Sequence, residues 1–407
     1  MEEGRFFKSR AVFPRLSVDQ YDKLNINKIK KNLARLNDNP DMGVQATLRP
    51  GKETGETELR LQVKDRNPFH ITPTFDNLGR RLIGEQRLGL GITHNNLFGF
   101  GDRDTVALNW SKDSFGLFNS YEIPVGKYGT KLGFNYAHSR LQLGKEFEPL
   151  DVKGFATSYT PYISQELYRG KYIQTSADLA FDFKNLGTDI LGQKFNRDRL
   201  RVLRPGLNFD QLDKYGRTFM RHEFGIGLDI LDASNQYRVL SSRPGAPPNF
   251  FRYSGFLTRV TQLPFGIQDI FRMNGQYSPD LLNSAEQIQV GGAFSVRGYK
   301  EGQFIGDSGY VLSNEVRVPF YIFPKNMKFK MTRSGLPKVF APSSKEPTYD
   351  YVFRDNFQLV GFTDFGACFT NPDRTPRFAV LATRDYALGV GFGVKVRPNY
   401  GTKLCGS

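Results

Sequence analysis

Stretches of about ten residues in which every second side chain is apolar recur along most of this chain, and they limit its fold more than any other feature. In "YIQTSADLAFDFKN" (residues 172–185), Ala177, Leu179, Phe181 and Phe183 fall on one face, and Gln174, Ser176, Asp178 and Asp182 on the other. "DTVALNW" aligns Val106, Leu108 and Trp110, and "KLGFNYAHS" aligns Leu132, Phe134 and Tyr136. "EFGIGLDI" aligns Phe224, Ile226, Leu228 and Ile230. "ALGVGFGVKVR" sets Leu388, Val390, Phe392, Val394 and Val396 against Gly389, Gly391, Gly393, Lys395 and Arg397. A two-residue period is that of a β-strand with unlike faces.

A soluble sandwich alternates too, but its strands average about five or six residues, whereas a tilted membrane-spanning strand needs about ten. The second face carries charges and glycines repeatedly, as a wet lumen allows. The connections divide into short ones ("FGFGD", "KYGT", "KYGR") and long ones (residues 186–199, "LGTDILGQKFNRDR", and residues 232–250). Short turns on one rim and long loops on the other describe a transmembrane barrel. The pattern predicts about fourteen antiparallel strands between Phe69 and Arg397. Aromatics such as Trp110 and Tyr136 are expected near the rims, where amphipathic rings settle.

Composition agrees. Phe (36), Tyr (19) and Gly (41) are abundant in the 407 residues, while hydrophobic content is only 39%. Aromatics favour pleated surfaces and Gly weakens helices. No apolar run reaches the length of a transmembrane helix, and the start, "MEEGRFFKSRAVFP", has no apolar signal core. Cys368 and Cys405 are expected to be free thiols. The net charge of +15 is assigned to the pore lining and to anionic lipid headgroups rather than to nucleic acid.

Residues 1–66 read differently. "NINKIKKNLARLND" places Ile26, Ile29, Leu33 and Leu36 on one helical stripe, with Asn25 as its cap. The strands "GVQATLRPG" and "TELRLQVKD" follow. One helix and two strands offer little core, so this α+β unit looks incomplete. The chain ends in "PNYGTKLCGS", a turn opening another strand; a closed barrel needs a last strand to pair with the first. The chain is therefore read as a fragment, 67–407 being a barrel without its last strands.

No catalytic constellation stands out. "GVQATLRPGKET" lacks the glycine spacing of a phosphate loop, and "RHEFG" lacks a zinc helix's second histidine. His70, His94, His138 and His222 are scattered, so neither metal nor cofactor is expected, and no enzyme activity. "GVGFG" is a strand with small inward residues.

The candidate site lies in "SVRGYKEGQFIGDSGY" (residues 295–310), a glycine-rich loop between strands with a single arginine, Arg297. In the later strand "FQLVGFTDFGA", Phe362, Asp364 and Gly366 share a face opposite Leu359, Gly361, Thr363 and Phe365, so Asp364 points into the lumen. A loop folded into that lumen brings Arg297 to the carboxylate in a bidentate pair. Glu315 is a second candidate partner.

"VRGY" (Val296, Arg297, Gly298, Tyr299) and Phe-x-Asp-x-Gly (Phe362, Asp364, Gly366) resemble the two signature motifs of the bacterial POTRA-plus-barrel superfamily. The chain is most similar to its two-partner secretion transporters, the haemolysin-activator type. Residues 36–65 resemble the end of their second POTRA domain, residues 76–104 the start of their barrel, and residues 275–299 the approach to their sixth extracellular loop. A first POTRA domain, a plug helix and the last strands are absent, and the segment 324–356 is longer than that pattern. The resemblance implies a 16-stranded barrel in the Gram-negative outer membrane after a partial POTRA domain (1–66). It implies a monomer that secretes a partner protein, captured as an added strand at an edge such as Thr57–Val63. A barrel-protein insertase of the same superfamily is the first alternative and a passive porin the second.

Overall fold

The computed structural model describes all residues except 17–24, 52, 54–55, 235–239, 321–327, 333–347, 353–356, 373–382 and 397–407, and gives backbone alone for 328–332, 348–352 and 396. Residues 1–66 form a small α+β unit. Its elements are the short helix α1 (Ser9–Val12), the helix α2 (Ile26–Leu36) and the antiparallel strands β1 (Met42–Pro50) and β2 (Thr57–Asp65). Asn25 caps α2, its side chain accepting from the backbone N–H groups of Asn27 (3.0 Å) and Lys28 (3.1 Å). Ile29 and Leu36 are buried and Leu33 partly so, but Ile26 at the first turn stays exposed.

The unit has more core than its helix and strands suggest, because residues 1–16 fold back onto it. Phe7, Ala11 and Val12 join Leu36, Met42, Val44, Leu61 and Val63 in one buried cluster. Backbone bonds from Glu2 to Leu61 (2.9 Å) and from Val63 to Glu2 (3.1 Å) lay the segment along β2. The Asp65 carboxylate then accepts from the N–H groups of Arg5, Phe6 and Phe7.

The rest is one antiparallel sheet of 14 strands. In order they are β3 (Phe69–Asp76), β4 (Arg87–His94), β5 (Arg103–Ser111), β6 (Ser114–Val125), β7 (Thr130–Gln142), β8 (Lys153–Arg169), β9 (Ile173–Ile190), β10 (Gln193–Leu212), β11 (Gly216–Gly227), β12 (Phe251–Gln262), β13 (Gln268–Tyr277), β16 (Ser308–Phe320), β19 (Phe357–Phe369) and β20 (Arg384–Val396). The hairpin β14 (Ile288–Val290)–β15 (Phe304–Gly306) lies in the β13–β16 connection, and β17 (Lys328–Thr332)–β18 (Thr348–Val352) lies in the β16–β19 connection. Consecutive strands of the large sheet pair throughout, and β3 and β20 are its ends.

The alternation translates directly into faces. Leu179, Leu132 and Phe134 are exposed on the outer side, and on β20 Phe392 is 93% exposed beside Leu388, Val390 and Val394. Such a surface is stable in lipid, where apolar side chains lose nothing by exposure. Asp182 and Asp364, on the opposite face, are buried. The inner side is enclosed: the β13–β16 connection reaches wall residues on β9, β10 and β12, on β16 and β19, and Arg80 in the β3–β4 connection.

Four expectations are corrected. Residues 186–199 are not a long loop. The β9 and β10 strands run on to Ile190 and Gln193, leaving a two-residue turn, Leu191–Gly192, with positive φ at both positions, as a tight twisted hairpin needs. The polar residues that suggested a loop are paired rungs in strands of 18 and 20 residues. The strand expected through Ile230 ends at Gly227; the Leu228 N–H bonds the Arg201 carbonyl instead. Tyr136 sits in the middle of β7, packed on Tyr159 at 5.2 Å, rather than at a rim. Trp110 is next to the last residue of β5. The long segment 324–356 holds the β17–β18 hairpin.

The connections at 95–102, 126–129, 170–172 and 213–215 lie on one rim, and the α+β unit docks there. Arg35 reaches Glu166 (2.7 Å) and the Lys127 carbonyl, Arg169 reaches Asp38 (2.6 Å), and Asn39 reaches the Asn95 carbonyl (2.7 Å). Arg10 and Arg15 bond the Gly99 and Phe100 carbonyls. Burial pushes the Arg15 guanidinium down to about 10, against Asp102, which raises it.

Candidate functional site

The site is built around the β13–β16 connection, residues 278–307, which folds into the space enclosed by the sheet. Its β14–β15 hairpin packs on the inner face of β16, β19 and β20, where Ile288, Val290, Val296, Val311, Cys368 and Ala387 form a buried cluster with Tyr299 and Phe304 against it. Cys368 is a free thiol inside this cluster, whereas Cys405 lies outside the described residues.

This packing sets the position of Arg297. Its Nε donates to Asp364 Oδ2 (2.6 Å) and its Nη2 to Asp364 Oδ1 (2.7 Å), a bidentate fork. Its Nη1 donates to Glu315 Oε2 (2.7 Å), and its backbone N–H returns to Asp364 Oδ2 (3.1 Å). The guanidinium lies 3.5 Å from the centre of the Phe362 ring, within cation–π range. Asp364 is 0% exposed. Arg317 holds the remaining Glu315 oxygen (2.7 Å from its Nε). Both carboxylates anticipated from the strand period thus meet the one arginine.

The other motif residues serve the same contact. Val296 is buried in the cluster; Tyr299 packs on Phe304 at 5.8 Å and its hydroxyl accepts from the Leu388 N–H (3.4 Å). Gly366 lies under the loop: a Cβ there would stand 2.7 Å from Val290 and 2.8 Å from Val296. On the neighbouring strand, a Cβ on Gly389 would stand 2.3 Å from the Arg297 carbonyl. The small inward residues of "GVGFG" therefore make room for the arginine's backbone.

A second anchor was not anticipated. Glu286, 1% exposed and on the approach to the hairpin, inserts among cations of the opposite wall. It accepts from both Nη2 contacts of Arg204 (2.9 and 2.8 Å), from Lys184 (2.9 Å) and from Arg252 (2.8 Å). Asp182 (2.5 Å) and Glu223 (3.0 Å) balance Arg204 from β9 and β11. Arg243, in the β11–β12 connection, pairs with Asp307 at the end of the loop. Alternation put Asp182 on the inner face, and the same count reaches Lys184. Nothing local in "LLNSAEQIQV" marks Glu286, because its partners lie on three other strands.

In the α+β unit, β2 is less open than an edge strand for a partner requires. Its outer side at Leu61 and Val63 is taken by Glu2, and its other side by β1. Burial alone would raise the Asp65 carboxyl, but the N–H groups of Phe7, Phe6 and Arg5 outweigh it and hold it below the usual value.

Comparison with known proteins follows the same lines. The family model described as haemolysin secretion/activation protein ShlB/FhaC/HecB matches residues 55–333, more than half of the chain. The chain is 24% identical over 307 residues to the heme/hemopexin transporter protein HuxB of Haemophilus influenzae (strain 86-028NP), covering 74% of this chain and 54% of the relative. It is 25% identical over 320 residues to the outer membrane transporter CdiB of Dickeya dadantii (strain 3937), covering 76% and 56%. The chain spans about half the length of the curated relatives it matches. In fold it is similar to CdiB from Escherichia coli, with a TM-score of 0.73 at 17% identity over 96% of this chain and 68% of that one.

Proposed function

The chain belongs to the haemolysin secretion/activation protein family ShlB/FhaC/HecB, and from that membership we propose that it is the pore of a two-partner system, carrying an unfolded partner protein from the periplasm through its barrel to the cell surface. The family is one of transporters rather than enzymes, and the 14-stranded sheet is of the outer-membrane barrel type. The observation that carries the reading is the Arg297 loop, which joins β13 to β16 but folds into the lumen and is held against the wall there by ion pairs and a small apolar cluster rather than by strand pairing. A passive porin has no need of such a loop. Ion pairs can be exchanged for others at modest cost as a chain passes.

Residues 1–66 serve in this reading as part of a POTRA domain that captures the partner as an added strand. The occupied flank of β2 shifts the proposed edge. The outer side of β1 beyond Val44, whose N–H and carbonyl are taken by the Asn37 side chain, and the Thr57–Leu59 part of β2 are the backbone edges left without a strand among the described residues. Loop residues Val296, Arg297, Gly298 and Tyr299 act as the latch, and Phe362, Asp364 and Gly366 with Glu315 as its seat. The protein works as a monomer.

The test is secretion of a partner exoprotein by cells carrying Arg297→Ala, read beside surface expression and membrane insertion. Secretion should fall strongly while insertion persists. Undiminished secretion by an inserted, loop-released variant would overturn the transport role of the latch.

A further inference from the structure

Facing lipid rather than the lumen, at the rim opposite the α+β unit, the sheet carries a recess of about 620 Å³ on β6, β7 and β8. The register sets three of its residues, Phe115, Arg140 and Phe155, in a row that Gly187 and Arg197 continue beside it. Phe115 pairs with Arg140, Arg140 with Phe155, Phe155 with Gly187, and Gly187 with Arg197. Arg140 shares its parity along β7 with the exposed Leu132 and Phe134, so the row looks outward. Lys153 and Lys112 border the same recess.

Cations on the outside of a barrel are costly in hydrocarbon and tolerable only near the interface. These stand within a few residues of the strand ends, at headgroup depth. Two of them are already satisfied: Lys153 by Asp151 (2.7 Å) and Arg197 by Asp189 (2.5 Å). Asp113 borders the recess as well. Arg140 donates only to His138 Nε2 (3.0 Å), and neither it nor Lys112 meets a carboxylate among the described residues. Arg197 lies 5.0 Å over the Phe155 ring, which holds the guanidinium at the surface. Two unneutralised cations above an aromatic floor match a group that is anionic at its head and apolar below it.

We propose that this recess binds the phosphorylated saccharide headgroup of an outer-leaflet glycolipid, phosphate on Arg140 and Lys112 and acyl chains along Phe115 and Phe155. The proposal rests on the outer-membrane reading of the sheet, which sets the leaflet. Trp110, the one tryptophan of the sequence, pairs with Phe115 in register and reports on the site.

The protein in nanodiscs of increasing lipopolysaccharide content should show a saturable change in Trp110 emission. The paired change Arg140→Glu with Lys112→Glu should weaken it at least tenfold, and lipopolysaccharide stripped of phosphate should fail to produce it. Inorganic phosphate at millimolar concentration should not reverse it. An equal response to phosphatidylglycerol would mean a diffuse charge belt, reversal by free phosphate an anion site without a lipid, and unchanged variants no site; each overturns the proposal. Should the charge reversals not insert, Arg140→Gln with Lys112→Gln carries the same comparison. Channel conductance equal to that of the parent in these variants keeps the barrel reading separate from the fate of the glycolipid site.

Discussion

The lumenal loop is held at two places by opposite chemistry. On its far arm one cation, Arg297, enters a wall of carboxylates, Asp364 and Glu315. On its near arm one carboxylate, Glu286, enters a wall of cations, Arg204, Arg252 and Lys184. The strands β16 and β19 supply the negative seat and β9, β10 and β12 the positive one. The loop thus matches a charge difference already present across the barrel. A displaced loop would expose both seats, one to each sign of charge on a passing chain. The difference also bears on robustness. The Arg297 fork has two carboxylates and a ring for one guanidinium, whereas Glu286 shares its cations with Asp182 and Glu223, which remain when it is gone.

The largest effect is expected when both arms are cut. An exposed ion pair contributes about 0–1 kcal/mol and breaking a buried one costs about 3–5 kcal/mol; each anchor, partly wetted, should fall between. The two share no partner, so their losses should add. In Arg297→Ala with Glu286→Ala, hydrogen exchange at the Ile288–Val290 and Phe304–Gly306 amides should report an opening free energy lowered by the sum of the singles. Conductance in planar bilayers should rise toward that of an unobstructed barrel. A double variant no worse than the more severe single would mean the loop leaves as one unit from either arm, and the two-anchor comparison would fail.

Next comes Arg297→Ala alone, expected to lower that opening free energy by about 2–4 kcal/mol, because it leaves the fully buried Asp364 uncompensated. Asp364→Ala should match it, and combining the two should add little, since one interaction is removed twice. The same pair of single changes on the near arm, Glu286→Ala and Arg204→Ala, should not be equivalent: without Arg204, Asp182 and Glu223 each lose one of their cations as well, keeping Lys184 and Arg252.

How much of this was legible follows from the range of each signal. Strand faces are local, so the outward Leu179 and Phe392 and the inward Asp182 and Asp364 could be counted from the two-residue period. The Arg297–Asp364 meeting was legible because Asp364 has a fixed inward face on its strand, Arg297 is the single arginine of the loop, and both sit in short motifs of the resembled family. The Leu191–Gly192 turn was not: Asp189, Lys194 and Arg197 read as loop, yet in strands extending past the membrane polar residues face water on either side. Glu286 has no local pattern, and its cations are spaced by the curl of the sheet. The core of the α+β unit was underestimated since Phe7, Ala11 and Val12 reach it only by folding back along β2.

A smaller change tests packing beneath the far arm without touching charge. In Gly366→Ala the new methyl meets Val290 and Val296 at 2.7 and 2.8 Å. Overpacking of this kind costs about 1–3 kcal/mol. Exchange should accelerate at the Ile288–Val290 amides while Lys184, Arg204 and Arg252 keep their hold on Glu286. An acceleration reaching residues 281–286 to the same degree would show that the arms are mechanically one.

The smallest effect is expected from trimming the outermost cation of each seat. Lys184 is the most exposed of the three around Glu286, at 24% of its side chain, against 8% for Arg204 and 12% for Arg252. Its removal leaves Glu286 with the two Nη2 contacts of Arg204 and the Arg252 bond. Arg317 stands in the same relation to the other seat. It holds the Glu315 oxygen that Arg297 does not use, so Arg317→Gln leaves the Arg297 fork on Asp364 whole. Each change should lower the loop's opening free energy by about 0–1 kcal/mol, the range of a wetted pair. If Lys184→Gln approached the effect of Glu286→Ala, the near anchor would be a network that fails together, and its difference from the single-guanidinium far anchor would be sharper than the distances alone imply.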